Sequence, residues 1–406
     1  MATSYPFHNL LSPIISTLFS GSAMVIKCSE ATAWSTTHFT RMVHTALSSC
    51  GHSPDLVQSI LCWPETANHL TSHPGISHIT FIGSHPVALK VAASAAKALT
   101  PCVMELGGKD PSIVLDSADS ELETVASILM RGVFQSAGQN CIGIERIIAT
   151  PKVYTRLVSM LAERVSKLRV GWAGPGAERT DDDCTSGPDV GSLISPVNIP
   201  KLEGLISSAV ADGATLHHGG QAHNHPLYPS GHYFSPTLLS SITPAMTIAQ
   251  TELFAPIALV LPASSVTDAI ALANSTPYAL GASVFGSPSS PEIEQVVNGV
   301  KAGLIAVNDF GSTYAVQLPF GGVKGSGYGR FAGEEGLRGL CNLKAVTRDG
   351  GVLGRVFGVR TRIPGRLDYP IRDLSKGWEF VAGVVGVGYA SGRQWVGSLV
   401  KLVRNA

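Results

Sequence analysis

Charge is scarce in this 406-residue sequence: Asp, Glu, Lys and Arg make up 14% of it, with 29 basic residues against 29 acidic ones. A chain of zero formal net charge sets up no whole-molecule field, which excludes nucleic acid as a bulk electrostatic partner. Paired cysteine motifs are missing too. The seven cysteines (Cys28, Cys50, Cys62, Cys102, Cys141, Cys184, Cys341) are odd in number and scattered, with no C-x-x-C. That argues against a disulfide framework and a zinc site, predicts no metal centre, and points to a reducing, intracellular compartment. No uncharged apolar run approaches the ~20 residues of a membrane-spanning helix. The opening MATSYPFHNLLSPII lacks a basic leader before its apolar run, so it does not read as a secretory signal. The dinucleotide fingerprint G-x-G-x-x-G is absent as well.

What is present is abundant apolar surface, 44% of residues, enough for a large core divided between two domains. Helical spacing runs from Tyr5 to Phe19, a short buried strand covers Ala23–Ile26, and Ala31–Ser49 reads as a helix. A strand follows within Asp55–Trp63, a helical turn at His69–Ser72, a strand at Ile79–Phe81 and an alanine-rich helix at Val87–Leu99. This alternation predicts a parallel, doubly wound α/β sheet. Beyond Gly108, helices are expected at Asp119–Val133, Lys152–Leu168, Pro200–Asp212, Val266–Ala273 and Pro291–Asn298, with strands at Arg146–Ala149 and in ALGASVFG. The polar stretch around Cys184 reads as an exposed loop, and His217 and His218 as exposed turn histidines without a third metal ligand.

The chemistry concentrates at FQSAGQNCIG (Phe134–Gly143). A thiol attacks as thiolate and needs open backbone, donors for developing negative charge and a base within reach. Small neighbours of Cys141 let a carbonyl approach the sulfur, and the Cys141 N–H can face the oxygen that becomes negative. MELGGKDPSIV (Met104–Val114) supplies the base: Glu105 lies between an apolar run and two glycines, where poor solvation raises a carboxyl. Two strand-to-helix turns have dinucleotide chemistry. In KCSE, Lys27 and Glu30 stand at a strand end, and Glu30 can accept from an adenosine ribose while repelling a 2′-phosphate. In FIGSHP, Gly83 permits close backbone approach, and Ser84 with the next helix's first N–H groups can meet a pyrophosphate.

At ELGGK and GQNC the chain resembles the NAD(P)-dependent aldehyde dehydrogenase superfamily, most closely the fungal meiotic sister-chromatid recombination type. TELFAP (Thr251–Pro256) resembles that family's E-x-F-G-P segment, with Ala255 for the glycine. PFGGVKGSGYGR (Pro319–Arg330) resembles its carboxy-terminal signature. The resemblance implies two Rossmann-like doubly wound domains, with the coenzyme domain incomplete. Residues 1–108 would be that coenzyme domain, 109–325 the catalytic domain, 326–350 a return segment with an oligomerisation strand, and 351–406 a basic, apolar extension. It implies Cys141 as nucleophile, Glu105 as the base for deacylation, and NAD as coenzyme, with NADP as the alternative. Lys27, Glu30, Gly83, Ser84, Glu252 and Phe254 would bind that coenzyme. Asn308, Phe310 and Phe320 would line the aldehyde pocket, and Lys344–Arg348 would pair with a partner subunit in a homodimer.

The sequence departs from the family at its start. Relatives begin further upstream, so the chain reads as amino-terminally truncated, and Ser4 stands where the family has its oxyanion asparagine. Losing an oxyanion donor typically costs about 10²–10³ in turnover. A second reading therefore stands beside the enzyme: a non-catalytic descendant that keeps the fold and NAD binding as a membrane-associated or scaffold protein. The extension from Val352 holds nine basic residues against three acidic ones around the uncharged Phe380–Gly392. Both a docked helical tail and a peripheral contact on the cytoplasmic face of a membrane fit it.

Overall fold

The computed structural model describes residues 4–172, 187–310, 317–347 and 366–405; Cys184 and Arg348 lie outside them. The chain divides into two compact units, residues 1–342 and 343–406. Pro6 opens helix α1 (Pro6–Phe19), where its missing N–H costs nothing and its fixed φ suits the first turn. Leu10 and Ile14 project from one face of α1 onto strand β1 (Met24–Lys27), helix α2 (Ala33–Ser49) and strand β2 (Val57–Ile60). With Ile26 and Val57 they form a small core of their own. Helix α3 (Pro64–Thr71), strand β3 (Ile79–Ile82), helix α4 (His85–Ala95) and strand β4 (Cys102–Glu105) complete the alternation.

β1 and β2 pair in parallel, and β3 pairs in parallel with β4, but the two pairs are hydrogen-bonded as separate sheets. The expected single sheet in this half is thus laid out as two parallel pieces. The second piece gains a strand from far along the chain: β14 (Gly327–Tyr328) runs antiparallel to β4, with Gly327 opposite Glu105.

The larger sheet has seven strands. Its members are β5 (Asp110–Val114), β6 (Ile144–Ala149), β7 (Thr215–His218), β10 (Thr237–Ser240), β11 (Ile257–Pro262), β12 (Gly281–Phe285) and β13 (Leu304–Val307). Their order is β13-β12-β5-β6-β11-β10-β7, parallel throughout except for β7. β5, β6 and β12 are buried at every position, as sequences covered by helices on both faces must be. A short hairpin of β8 (Ala222–His223) and β9 (Tyr233–Phe234) stands apart.

The helices of this half are α5 (Leu122–Phe134), α6 (Pro151–Val165), α7 (Ile199–Ala211), α8 (Thr247–Gln250), α9 (Val266–Asn274), α10 (Pro291–Gly299) and α11 (Gly333–Gly339). α6 buries Val153, Leu157, Leu161 and Val165, the face its spacing predicts. His217 and His218 lie on β7 rather than in a turn. Their ring nitrogens are 2.7 Å from Ser240 Oγ and 2.8 Å from the Pro236 carbonyl, so the neighbouring strand holds both. Residues 344–347 form no strand within the chain.

The second unit contains helices α12 (Leu374–Tyr389) and α13 (Gly392–Asn405), packed as a hairpin. Glycine makes their contact: a Cβ on Gly386 would lie 2.1 Å from Ser398 Oγ, and one on Gly383 2.9 Å from the Leu402 amide nitrogen. No helix among the described residues is long and apolar enough to cross a membrane. In the first unit, Leu157 is fully buried beneath the large sheet. Leu157→Ala is expected to lower unfolding free energy by about 2–5 kcal/mol, read from the urea midpoint at unchanged slope.

Candidate active site

Residues 135–143 form a tight loop between α5 and β6 that no ordinary sequence would adopt. Ser136, Ala137 and Gly138 are consecutively left-handed, with φ of 58°, 56° and 69°. A Cβ at Gly138 would sit 2.1 Å from the Ala255 carbonyl oxygen, so only glycine fits there. Gln139 ties the loop outward: its Nε2 donates to the Ser136 and Ser192 carbonyls, and its Oε1 accepts from the Ile194 N–H at 2.9 Å. Asn140 is buried, with Oδ1 accepting from the Ile142 N–H at 3.2 Å. These contacts fix Cys141, which keeps part of its residue surface exposed while its sulfur packs among protein atoms.

The Cys141 side chain lies close enough to the Glu105 carboxyl for each to shift the titration of the other. Glu105 ends β4 and is 2% exposed. Burial pushes its carboxyl up to about 7, against the pull of the Gly107 N–H at 3.2 Å and of Cys141. Burial, followed by the charges of Glu105 and Asp110, drives the Cys141 thiol well above its ordinary range. At neutral pH the sulfur therefore keeps its proton, beside a carboxyl poised to take one.

A buried polar network supports this pair. Lys109 Nζ lies 2.6 Å from Glu145 Oε2, both side chains nearly inaccessible. Glu145 also accepts from the Leu253 N–H at 2.9 Å and the Phe254 N–H at 3.0 Å. Arg146, 1% exposed, donates to the carbonyls of Lys109, Leu272 and Ala273. Asp110 Oδ2 accepts from the Gly281 N–H at 2.8 Å, and burial raises this carboxyl well above its usual range. None of these residues except Lys109 falls in a recognisable motif. Their signal is charge where a buried strand should be apolar, Glu145-Arg146 in IERIIA and Lys109-Asp110 before PSIVL.

The remaining sequence candidates divide into those that converge on the pair and those that do not. Glu252 converges: its Oε1 accepts from the Gly108 N–H at 3.2 Å, and burial, then the charge of Glu145, pushes it up to about 8. Phe254 follows in a left-handed conformation, φ 52°. Ser4 is buried, its carbonyl accepting from Asn9 Nδ2 at 2.7 Å; the next residue, Tyr5, brings its hydroxyl to 3.5 Å from Ser136 Oγ in the cysteine loop.

Lys27 and Glu30 form an ion pair of 2.7 Å at the end of β1, and the Lys27 ammonium holds Glu30 below the usual carboxylate range. Gly83 packs against the Phe81 ring, and exposed Ser84 makes no side-chain cap to α4. Pro86 has no amide hydrogen, and the Val87 and Ala88 amides donate to the Ser84 carbonyl. The turn therefore offers the Ser84 hydroxyl and the His85 amide. Asn308 serves the fold, its Oδ1 accepting from the Gly286 N–H at 2.9 Å. Phe310 is buried and, with Asp110, Ile142 and Ile144, lines a small cavity. Phe320 pairs with Phe331 through mutual backbone bonds of 2.8 Å, their ring centroids 5.0 Å apart.

A thiol beside a buried acid, set between an α/β sheet and a three-stranded one, defines a class of thiol–carboxyl α/β proteins. Residues 4–346 match the aldehyde dehydrogenase family, and the chain belongs to that family. It is 52% identical to an aldehyde dehydrogenase-like protein of Schizosaccharomyces pombe over 99% of this chain and 74% of that protein. It is 49% identical to one of Saccharomyces cerevisiae, over 99% of this chain and 62% of the other. Among solved structures, a point mutant of betaine aldehyde dehydrogenase from Staphylococcus aureus in complex with NAD+ is similar, with a TM-score of 0.70 and 29% identity. That match covers 80% of this chain and 62% of the other.

The raised Glu105 carboxyl has a consequence for stability. Its folded value of about 7 exceeds the ordinary 4.5, so the neutral acid is favoured in the fold. Its stabilising share is fully present below about pH 4.5 and is lost as pH rises through about 7. Glu105→Gln is expected to gain stability over wild type across that window, reaching ~3 kcal/mol above it. Urea unfolding at pH 4 and pH 8.5 checks this; an equal difference at both pH values would refute it.

Proposed function

We propose that this chain oxidises an aldehyde to a carboxylic acid with a nicotinamide coenzyme, and the observation that carries the reading is the Cys141–Glu105 contact. The residues present fit the coenzyme. A Cβ on Gly107 would lie 2.1 Å from Glu252 Oε1, so bare backbone lines that approach, and the Ser84 hydroxyl is uncommitted to its helix. Lys27 and Glu30 would hold the adenosine ribose, Gly83 and Ser84 the pyrophosphate, Glu252 the nicotinamide ribose, and Phe254 the face of the ring. Glu30 favours NAD over NADP, because its carboxylate would repel a 2′-phosphate. When bound, the coenzyme supplies the acceptor for a hydride.

The chain's own groups perform the rest. Glu105 takes the Cys141 proton as the sulfur attacks the carbonyl carbon; a C–S bond forms, and the π pair moves to oxygen. The Cys141 N–H, with the Ser4 hydroxyl as a second donor, would face that oxyanion. Departure of the hydride leaves a thioester on Cys141. Glu105 releases that first proton to solvent and then takes one from water whose oxygen adds to the thioester carbon. The C–S bond breaks, the acid leaves, and Cys141 regains a proton. Burial suits Glu105 to both proton transfers, because a base near pH 7 is efficient there. The intact pair favours the enzyme over the non-catalytic alternative.

In this reading residues 1–108 form the coenzyme domain, 109–325 the catalytic domain, 326–350 the return segment and 351–406 an extension. Residues 344–348 would pair with a second copy in a homo-oligomer. The test is rapid mixing with NAD+ and a medium-chain aldehyde. Wild type is expected to release NADH, and Cys141→Ala none. Glu105→Gln is expected to lower steady-state turnover by about 10²–10⁴-fold. Full turnover in Cys141→Ala would end the proposal.

The helical hairpin favours a peripheral contact with an anionic membrane surface. Leu374, Trp378, Val385 and Tyr389 recur along one face of α12 and are exposed, as are Val396, Val400 and Val403 along α13. α13 carries Arg393, Lys401 and Arg404 and no acidic residue. Aromatic and aliphatic stripes beside basic side chains suit a lipid interface. The whole chain should co-sediment with phosphatidylserine vesicles at low salt, and much less with phosphatidylcholine vesicles. Equal recovery in the supernatant with both would remove this contact.

A further inference from the structure

Glu145 lies outside every motif of the sequence, yet three stretches of the candidate site meet on its carboxylate, which belongs to a residue 7% exposed. Its own strand β6 follows the Cys141 loop. Lys109, 2.6 Å away, comes from the turn that follows Glu105. The Leu253 and Phe254 amides, at 2.9 Å and 3.0 Å, come from the turn that carries Glu252. Both main-chain donors flank the residue after Glu252, so the carboxylate of Glu145 fixes the direction in which Glu252 leaves the backbone. Glu252 in turn reaches back to the Gly108 N–H. The polypeptide thus closes a ring: Gly108, Lys109, Glu145, the 252–254 turn, and Gly108 again.

We propose that Glu145 is a positioning residue for Glu252: its carboxylate pins the turn that presents Glu252, and its charge, opposed by that of Lys109, acts on the Glu252 carboxyl. The groups facing Glu252 are Glu105, Lys109, Asp110, Cys141, Glu145 and Tyr278. Of the charges among them, Glu145 raises the Glu252 carboxyl most and Lys109 lowers it. The proposal rests on the coenzyme reading only for its consequence in binding. The charge relation itself holds in the coenzyme-free protein. Its consequence is that affinity on the nicotinamide side would rise as Glu252 ionises and its oxygens become full acceptors.

The experiment follows the Glu252 carboxyl by ¹³C NMR in coenzyme-free protein with carboxyl-labelled glutamate, using Glu252→Gln to assign the signal. The wild-type midpoint is expected at about 8. Glu145→Gln should move it down and Lys109→Gln up, and a shift of one unit is about a tenfold change in the ionisation ratio at fixed pH. Both substitutions break the same ion pair, so a merely loosened turn would move both midpoints the same way. Opposite shifts support the proposal; shifts of one sign, or none, in variants with wild-type circular dichroism overturn it. If Glu145→Gln fails to fold, Lys109→Gln alone decides, and a fall or no change overturns the proposal. NAD+ titration of the wild type separates the two readings. Opposite carboxyl shifts in a protein that binds no NAD+ would support the proposal and end the coenzyme assignment.

Discussion

An ion pair shut away from water, Lys109 with Glu145, holds the centre of this protein together. Removing two charges from solvent costs several kcal/mol each, and their attraction repays that only when the remaining donors and acceptors are met. Here they are: Glu145 accepts two main-chain N–H groups besides the ammonium, and adjacent Arg146 spends its guanidinium on three carbonyls. An apolar replacement of matching volume would remove the cost of burying the charges but leave the Leu253 and Phe254 amides without their acceptor. It would not orient the amides of Leu253 and Phe254, nor hold the Glu105 turn against the cysteine loop. The pair's contribution is alignment.

Backbone strain gathers around the same point. Ser136 and Ala137 are left-handed without being glycine, and so is Phe254 across the gap that Gly138 bridges. Each such residue costs on the order of 1–3 kcal/mol and persists only where its surroundings over-determine it. The bonds of Gln139 to residues 192–194 and of Glu145 to residues 253–254 provide that constraint. The same packing that forces these conformations also dries the space between Cys141 and Glu105. Strain, desolvation and the raised carboxyl are therefore consequences of one arrangement.

Much of this could be read from the sequence. Apolar runs and helical spacing located most of the longer helices and strands β1, β2, β3, β6 and β12 to within a few residues, whereas β4, β5, β10, β11 and β13 were not marked out, because a short buried apolar run carries no period of its own. The thiol and its acid were legible because each lies in a short motif whose glycines have steric reasons visible in the fold, at Gly107 and Gly138 above all, and Glu252 because it lies in the short TELFAP segment. Glu145 and Asp110 were not. Their partners come from distant positions, and one charged residue in a hydrophobic strand carries no record of what neutralises it. Asn308 and Phe310 show the converse. The resemblance assigns them to the aldehyde pocket, and nothing in their own sequence announces that Asn308 Oδ1 accepts from the Gly286 N–H or that Phe310 is buried. The split between the β1–β2 pair and the β3–β4 sheet was equally hidden, since strand order depends on which edges meet rather than on any residue's own preference.

Strand β14 has a further consequence for how the molecule is made. It pairs Gly327 with Glu105, and the Ser326 carbonyl accepts from the Leu106 amide at 3.1 Å, so the acid's own strand is completed by residues synthesised long after it. A polypeptide still emerging from the ribosome already contains the cysteine, the acid and the whole ion-pair network before this strand exists. During that interval one edge of the strand bearing Glu105 has no partner. Chaperones that shield open strand edges would find their target there, and the strand bearing Glu105 is completed only when the late segment folds back over the early one.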